Sequence, residues 1–433
     1  MRARFLPLPA WGRTTRRIAA LAIGVVLFTT GLLVKPAPAI SRPGHVALAV
    51  GPHDVLVDQP VTIRVSGVRP RSLVTIRATT ESVPGKRWLS TGVFRADATG
   101  VVVVASSASL GGTYRGRHGM GLFWSMRLVG SHLPLEFQGM FPAGLASVTT
   151  VRFSASQSGR TLARATLIRR TAAPGVVERK TTLARDGFVG CFYSRPNATA
   201  TPSPAILVLG GSEGGLPCDF TSSLLASHGV QVLALAYFGV PGLPPNLRMI
   251  PLEYFRRALE WLRRQPGVDR DKLVVLGGSR GGEAALLLGS VYPTLVHGVA
   301  EYVGSATILG SPGEHATSAW KLRGKPVEIG TTIPVERING PVFLVGALED
   351  MLGNSVGSVD TVVARLQANH RSDYTALIYR SGHSVVTAIP NIPTATVFHT
   401  RYGGLDLGGL PLDASLARAD SWPKLVAFLK HLD

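Results

Sequence analysis

The chain has 433 residues, 45% of them hydrophobic and 16% charged, with a formal net charge of +19. It is long enough for a full hydrophobic core and a second domain, and too apolar for a disordered polyelectrolyte. Its basic residues are spread along the chain without runs or interleaved aromatics, which argues against a nucleic-acid binder and for a general attraction to anionic groups, a membrane surface included.

Residues 1–39 read as a targeting segment. Arg2, Arg4, Arg13, Arg16 and Arg17 form a basic start, residues 18–34 are apolar and uncharged, and Pro36-Ala37-Pro38-Ala39 offers a cleavage site after Ala39. Removing the segment takes away six positive charges and leaves +13. The apolar stretch is slightly long for a signal-peptide core and slightly short for a bilayer span, so a cleaved signal peptide and an uncleaved membrane anchor both stand. Thr15-Arg16-Arg17 is only a loose twin-arginine pattern. Either way the expectation is an exported protein, secreted or held in the cell envelope. In that compartment Cys191 and Cys218 suggest one disulfide, with two independent buried thiols as the alternative. No His/Cys cluster has metal-ligand spacing, so no metal or organic cofactor is expected.

Residues 43–173 read as an all-β sandwich. Short β-rich runs at 55–65, 73–78, 92–96 and 101–105 are separated by Pro, Gly, Asp and Ser, and 151–154 and 161–168 could complete the sheets. Pro174-Gly175 marks the boundary to a second domain, 174–433. There Arg185-Asp186-Gly187 signals a hairpin turn, and Asn197-Ala198-Thr199 is a glycosylation pattern that chance in a Ser/Thr loop also explains. Strands at 205–209, 230–236, 298–303, 342–345 and 374–379 then alternate with helices at 220–228, 252–262, 281–291, 358–367 and 425–431. Such alternation predicts a mostly parallel sheet covered on both faces, with its site at the carboxyl ends of the strands. The fold class expected is α/β, an α/β-hydrolase fold behind an N-terminal β-sandwich.

The stretch around which the chain is organised is Leu273-Val274-Val275-Leu276-Gly277-Gly278-Ser279-Arg280-Gly281-Gly282. A buried strand runs directly into a helix through G-x-S-x-G, and such a turn holds its central Ser in a strained conformation with the hydroxyl above the sheet. A Ser hydroxyl needs a base, usually His, oriented by a carboxylate, and on this architecture the chain order is Ser, acid, His. Asp350 follows the 342–345 strand and His383 follows the 374–379 strand, both at carboxyl ends. Glu349 is the alternative acid beside Asp350, and Asp360 falls inside a predicted helix. An oxyanion hole needs two N–H donors. Arg280, next after Ser279, supplies one. The Gly-rich loop 210–215 supplies the other, assigned to Ser212 with Gly211 and Glu213 as alternatives. That loop lacks the Gly-Lys-Ser/Thr ending of a phosphate-binding P-loop.

These residues resemble the family of acyl-CoA thioesterases and bile acid-CoA:amino acid N-acyltransferases. In the second half the similar stretches are Gly-Gly-Ser-Glu-Gly-Gly at 210–215, 232–238, Leu252-Glu253-Tyr254-Phe255, 278–283, Ile333-Pro334-Val335-Glu336-Arg337 and Gly382-His383. In the first half they are Asp58-Gln59-Pro60-Val61, Phe94-Arg95-Ala96-Asp97, Leu110-Gly111-Gly112 and 120–124. The resemblance implies a β-sandwich joined to an α/β-hydrolase domain, with nucleophile, acid and base at Ser279, Asp350 and His383. It also implies hydrolysis, because thioesterase members carry Ser at the nucleophile and the acyltransferases carry Cys. The expected substrate is an acyl thioester, with oxygen esters, an envelope acyltransferase or a non-catalytic binding protein on the same scaffold as the alternatives.

Overall fold

The computed structural model describes residues 45–83, 85–130, 148–195, 202–216, 219–400 and 403–432. The expected leader 1–39, Cys218 with its disulfide, and the Asn197 glycosylation pattern lie outside the described residues. Residues 44–433 form one compact unit. Among the described residues, no helix is long and apolar enough to cross a membrane.

The first part is built of two antiparallel-rich sheets. One orders Ala47–Gly51, Thr62–Ser66 and Val102–Val103. The other orders Asp54–Leu56, Arg160–Arg170, Val148–Gln157, Leu73–Val83, Lys86–Arg95 and Ser109–Gly112, with Arg127–Leu128 pairing to Lys86–Arg95. Alternate residues face inward, as a period of two requires. Val74, Ile76, Ala78, Phe94, Val151, Phe153 and Ala155 meet Trp88, Leu122 and Phe123 in one core, each large side chain contributing ~1.5–3 kcal/mol on burial. The run expected at 55–65 is two strands in different sheets, because Gln59-Pro60 breaks it and the Gln59 side chain caps the Leu56 N–H at 3.0 Å.

The second part is an eight-stranded sheet. Its strands are β1 (Val177–Thr181), β2 (Val189–Ser194), β3 (Ser203–Leu209), β4 (Gln231–Ala236), β5 (Val268–Gly278), β6 (Gly298–Tyr302), β7 (Val342–Ala347) and β8 (Tyr374–Tyr379). The order is β1-β2-β4-β3-β5-β6-β7-β8; β2 runs antiparallel to both its neighbours, β1 and β4, and the other pairings are parallel. Helices α1 (Asp219–Ser227), α2 (Leu252–Arg263), α3 (Arg280–Val291), α4 (Ser355–Ala368) and α5 (Pro411–Lys430) cover it. Leu252, Phe255, Leu259 and Leu262 of α2, Leu286 of α3 and Val362 of α4 pack on one face; Leu224 of α1 and Leu425 and Leu429 of α5 pack on the other. This is the α/β-hydrolase fold. The Asp186-Gly187 turn does join an antiparallel pair, but as a short helix, Leu183–Asp186, capped by Thr182 and ended by Gly187 at φ 78°.

One carboxylate ties the two parts together. Asp58 Oδ2 lies 2.5 Å from His228 Nε2 and accepts the Trp422 indole N–H at 2.8 Å, while the Asp58 carbonyl accepts from Asn391 at 3.1 Å.

Candidate active site

The elbow after β5 has the geometry its sequence demands. Ser279 sits at φ 53°, ψ −122° as the N-cap of α3, a conformation that costs an L-residue ~1–3 kcal/mol. Its N–H donates to the Tyr302 carbonyl at 2.8 Å, and its carbonyl accepts from Gly282 and Glu283 at 2.9 and 3.2 Å. The flanking glycines are obligatory. A Cβ at Gly277 would stand 2.0 Å from the Gly281 carbonyl oxygen, and one at Gly281 would stand 2.3 Å from that of Gly210.

The structure brings Asp350 and His383 together. His383 Nδ1 is 3.0 Å from both carboxylate oxygens of Asp350, whose side chain is 1% exposed. The loops that carry them are joined by backbone hydrogen bonds, Leu348 N–H to the Tyr379 carbonyl and Glu349 N–H to the Ser381 carbonyl, both 2.9 Å. Glu349 turns outward and pairs with Arg380 at 3.0 Å, and Asp360 is exposed on α4. The segment after His383 packs against the elbow, since a Cβ at Gly278 would collide with Val386. The Ser279 hydroxyl hydrogen-bonds to none of the described residues.

The loop after β3 also lies against Ser279. A Cβ at Gly211 would be 3.2 Å from that of Ser279. Gly211's own N–H is already given to Glu213 Oε1 at 2.8 Å, which leaves the N–H of Ser212, on an exposed turn, and that of Glu213. Arg280 is the first residue of α3, where an N–H has no intrahelical acceptor. Its side chain is tied back: the guanidinium lies 3.0 Å from Glu283 Oε2 and donates to the Leu309 carbonyl at 3.2 Å. Glu283 Oε1 accepts from Trp320 Nε1 at 2.7 Å and the Leu309 N–H at 3.0 Å. Burial pushes the Glu283 carboxyl up to about 7 despite the Arg280 charge.

Two supporting residues escape a reading of the sequence. Tyr237 is buried and donates to the Gly210 carbonyl at 2.6 Å, with the Gly211 carbonyl at 3.2 Å, and so braces the glycine loop. Arg418 of α5 is buried and donates to the carbonyl of Ser384, next to His383, at 3.1 Å, and to Thr394 Oγ1 at 3.3 Å. Backbone carbonyls are the main acceptors in both cases, and they leave no signature in a sequence. Among the described residues, no group of three or more His, Cys, Asp or Glu side chains could hold a metal ion.

The profile of the acyl-CoA thioester hydrolase/BAAT N-terminal region matches residues 58–182, and that of the BAAT/acyl-CoA thioester hydrolase C terminus matches 250–319 and 315–433. The chain belongs to this acyl-CoA thioester hydrolase/BAAT family. Acyl-coenzyme A thioesterase 1 of Rattus norvegicus is 30% identical over 396 residues, covering 86% of this chain and 93% of that one. The bile acid-CoA:amino acid N-acyltransferase of Mus musculus is 28% identical over 418 residues, covering 89% and 97%. Among solved structures, a dienelactone hydrolase-like promiscuous phosphotriesterase from metagenomic libraries has a TM-score of 0.42 at 18% identity, covering 60% of this chain and 99% of that one. Family membership makes the chain an enzyme, so the reading of a binding protein on a hydrolase scaffold falls away.

Proposed function

We propose that this member of the acyl-CoA thioester hydrolase/BAAT family is a serine hydrolase of acyl thioesters, with Ser279 as nucleophile, His383 as base and Asp350 as the acid that orients it. The observation that carries the reading is the buried Asp350–His383 contact, on loops at the carboxyl ends of β7 and β8, beside a strained Ser279 elbow. A carboxylate on Nδ1 fixes the tautomer in which Nε2 can take a proton. His383 Nε2 accepts the Ser279 proton, and Oγ attacks the acyl carbonyl. The oxyanion takes hydrogen bonds from the N–H of Arg280 and of Ser212. Collapse expels the thiolate, which leaves with the proton from His383. Water, deprotonated by the same nitrogen, then attacks the acyl-serine, and His383 returns that proton to Ser279 Oγ as the acid is released. The named relatives include thioesterases and an acyltransferase; a Ser nucleophile favours water as the acceptor.

The test is hydrolysis of a chain-length series of acyl-CoA thioesters, with matched p-nitrophenyl esters and Ser279→Ala alongside. Thioester cleavage that vanishes in Ser279→Ala is the expected result. Ester cleavage alone makes the enzyme a carboxylesterase, and a fully active Ser279→Ala removes the nucleophile assignment. We further propose that the protein acts outside the cytoplasm, on the strength of the basic, apolar and Pro-Ala-Pro-Ala order of residues 1–39. Fractionation of expressing cells with N-terminal sequencing distinguishes a chain cleaved after Ala39, an anchored chain and a cytoplasmic one.

A further inference from the structure

Glu301 is an acid in an otherwise apolar central strand. It stands on β6, in register with Gly277 of β5 and Leu344 of β7, and is 1% exposed. Its side chain lies under the start of the nucleophile helix, where a Cβ at Gly282 would be 2.8 Å from Glu301 Cγ. Its Oε1 accepts the N–H of Gly304. Gly304 in turn touches the elbow: a Cβ there would be 3.0 Å from the Ser279 carbonyl oxygen and 3.1 Å from the Glu283 nitrogen. Glu301 Oε2 is buried and hydrogen-bonds to none of the described residues. The carboxyl is thus one contact away from the backbone of Ser279 and from the turn that presents the Arg280 N–H.

We infer that Glu301 is a positioning residue of the reaction: as an uncharged acid it buttresses the Gly304 turn beneath Ser279 and leaves the positive end of α3 free for the oxyanion. The inference rests on the assignment of Ser279 as nucleophile. The charges around Glu301 are consistent with an uncharged acid. Asp350, on the loop after β7, opposes a second negative charge, and Arg280 of α3 is already matched by Glu283. Burial, with Asp350 adding to it against the Gly304 hydrogen bond, pushes the Glu301 carboxyl up to about 8. An ionised Glu301 would sit at the helix N-terminus and compete with the oxyanion for the same field. Above that pH the enzyme should lose turnover with little loss of substrate binding.

The experiment is kcat and KM against pH on one acyl-CoA substrate, with spontaneous hydrolysis subtracted, for the full chain and for Glu301→Gln, Glu301→Leu and Ser279→Ala. Wild-type kcat should fall about tenfold between neutral pH and roughly pH 9.5, with KM steady. Glu301→Gln is neutral at every pH and still offers Gly304 an acceptor. It should keep neutral-pH kcat within about twofold and stay level across the range. Glu301→Leu should be about tenfold slower throughout, because the acceptor is gone. The same alkaline fall in Glu301→Gln overturns the inference. An active Ser279→Ala overturns instead the reading beneath it. Infrared difference spectra of the wild-type chain, taken against those of Glu301→Gln so that the Glu283 band cancels, read the proton directly. A carboxylic-acid carbonyl band that bleaches with the midpoint of kcat is expected, and its absence at neutral pH overturns the inference.

Discussion

Replacing Asp350 by Asn tests the proposed triad at its best-defined contact. Both carboxylate oxygens are 3.0 Å from His383 Nδ1, and the aspartate side chain is 1% exposed. With charge centres ~4 Å apart and an effective dielectric of ~20, the pair stabilises the imidazolium formed during attack by ~4 kcal/mol. Losing that is worth about a thousandfold in kcat. The Asn amide adds a second fault, because an N–H facing Nδ1 favours the tautomer that leaves Nε2 protonated and unable to take the Ser279 proton. The expected fall is therefore ~10³–10⁴-fold in kcat at neutral pH. KM should change little and the thermal midpoint by only a few degrees, since Asn keeps the shape of Asp. Release of free CoA thiol from an acyl-CoA substrate, followed with a thiol reagent, gives the rate. Glu349→Gln is the paired control, and its exposed contact with Arg380 predicts activity within about twofold. An Asp350→Asn enzyme within tenfold of wild type, or a dead Glu349→Gln, would refute the reasoning.

Gly281→Ala drives a methyl to 2.3 Å from the Gly210 carbonyl oxygen. It should cost ~1–3 kcal/mol in urea unfolding and lower kcat by more than about tenfold as the elbow and glycine loop part; wild-type turnover would contradict it. Tyr237→Phe removes the donor that serves the Gly210 and Gly211 carbonyls. Stability should drop by ~1 kcal/mol, with kcat reduced and KM nearly constant. Stability itself should depend on pH through the two buried glutamates. Glu301 and Glu283 hold their protons up to about 8 and about 7, against an ordinary value of 4.5. The folded state therefore binds more protons than the unfolded one between those limits, and their contribution is full below about pH 4.5 and lost as pH rises through 7 and 8. Denaturation at a series of pH values should show stability falling over that window, with a shallower slope in Glu301→Gln.

Much of the architecture is legible in the sequence because the buried parallel strands are short, continuous apolar runs. The 298–303 and 342–345 runs fall on the fully buried β6 and β7, the half-exposed edge strand β8 also coincides with 374–379, and the elbow with its two glycines is as strained as its pattern demands. What escapes has physical causes. Sequence pattern predicts a closing helix only at 425–431, yet α5 runs Pro411–Lys430. Pro411 occupies the first turn, where no N–H is needed, and Pro423 lies inside the helix, which propensity alone forbids. The choice between Asp350 and Glu349 does not follow from chain order, since it depends on which neighbour the loop turns inward. Glu301 does leave a mark, an acid in an apolar run. An ionisable residue in a doubly covered strand is visible in the amino-acid pattern, but its neighbour across the elbow is not.

The Asp58 carboxylate makes the sandwich and the hydrolase sheet mutually dependent. Separated from residue 58, the catalytic half would carry an imidazole at His228, an indole N–H at Trp422 and a carboxamide at Asn391, all built for an acceptor that had gone. Trp422 sits on α5, the same helix whose Arg418 holds the carbonyl beside His383. The β-sandwich is therefore not a detachable accessory. Recombination that exchanged it for another module would have to supply an acid at the same point, or loosen the helix that holds the backbone beside His383.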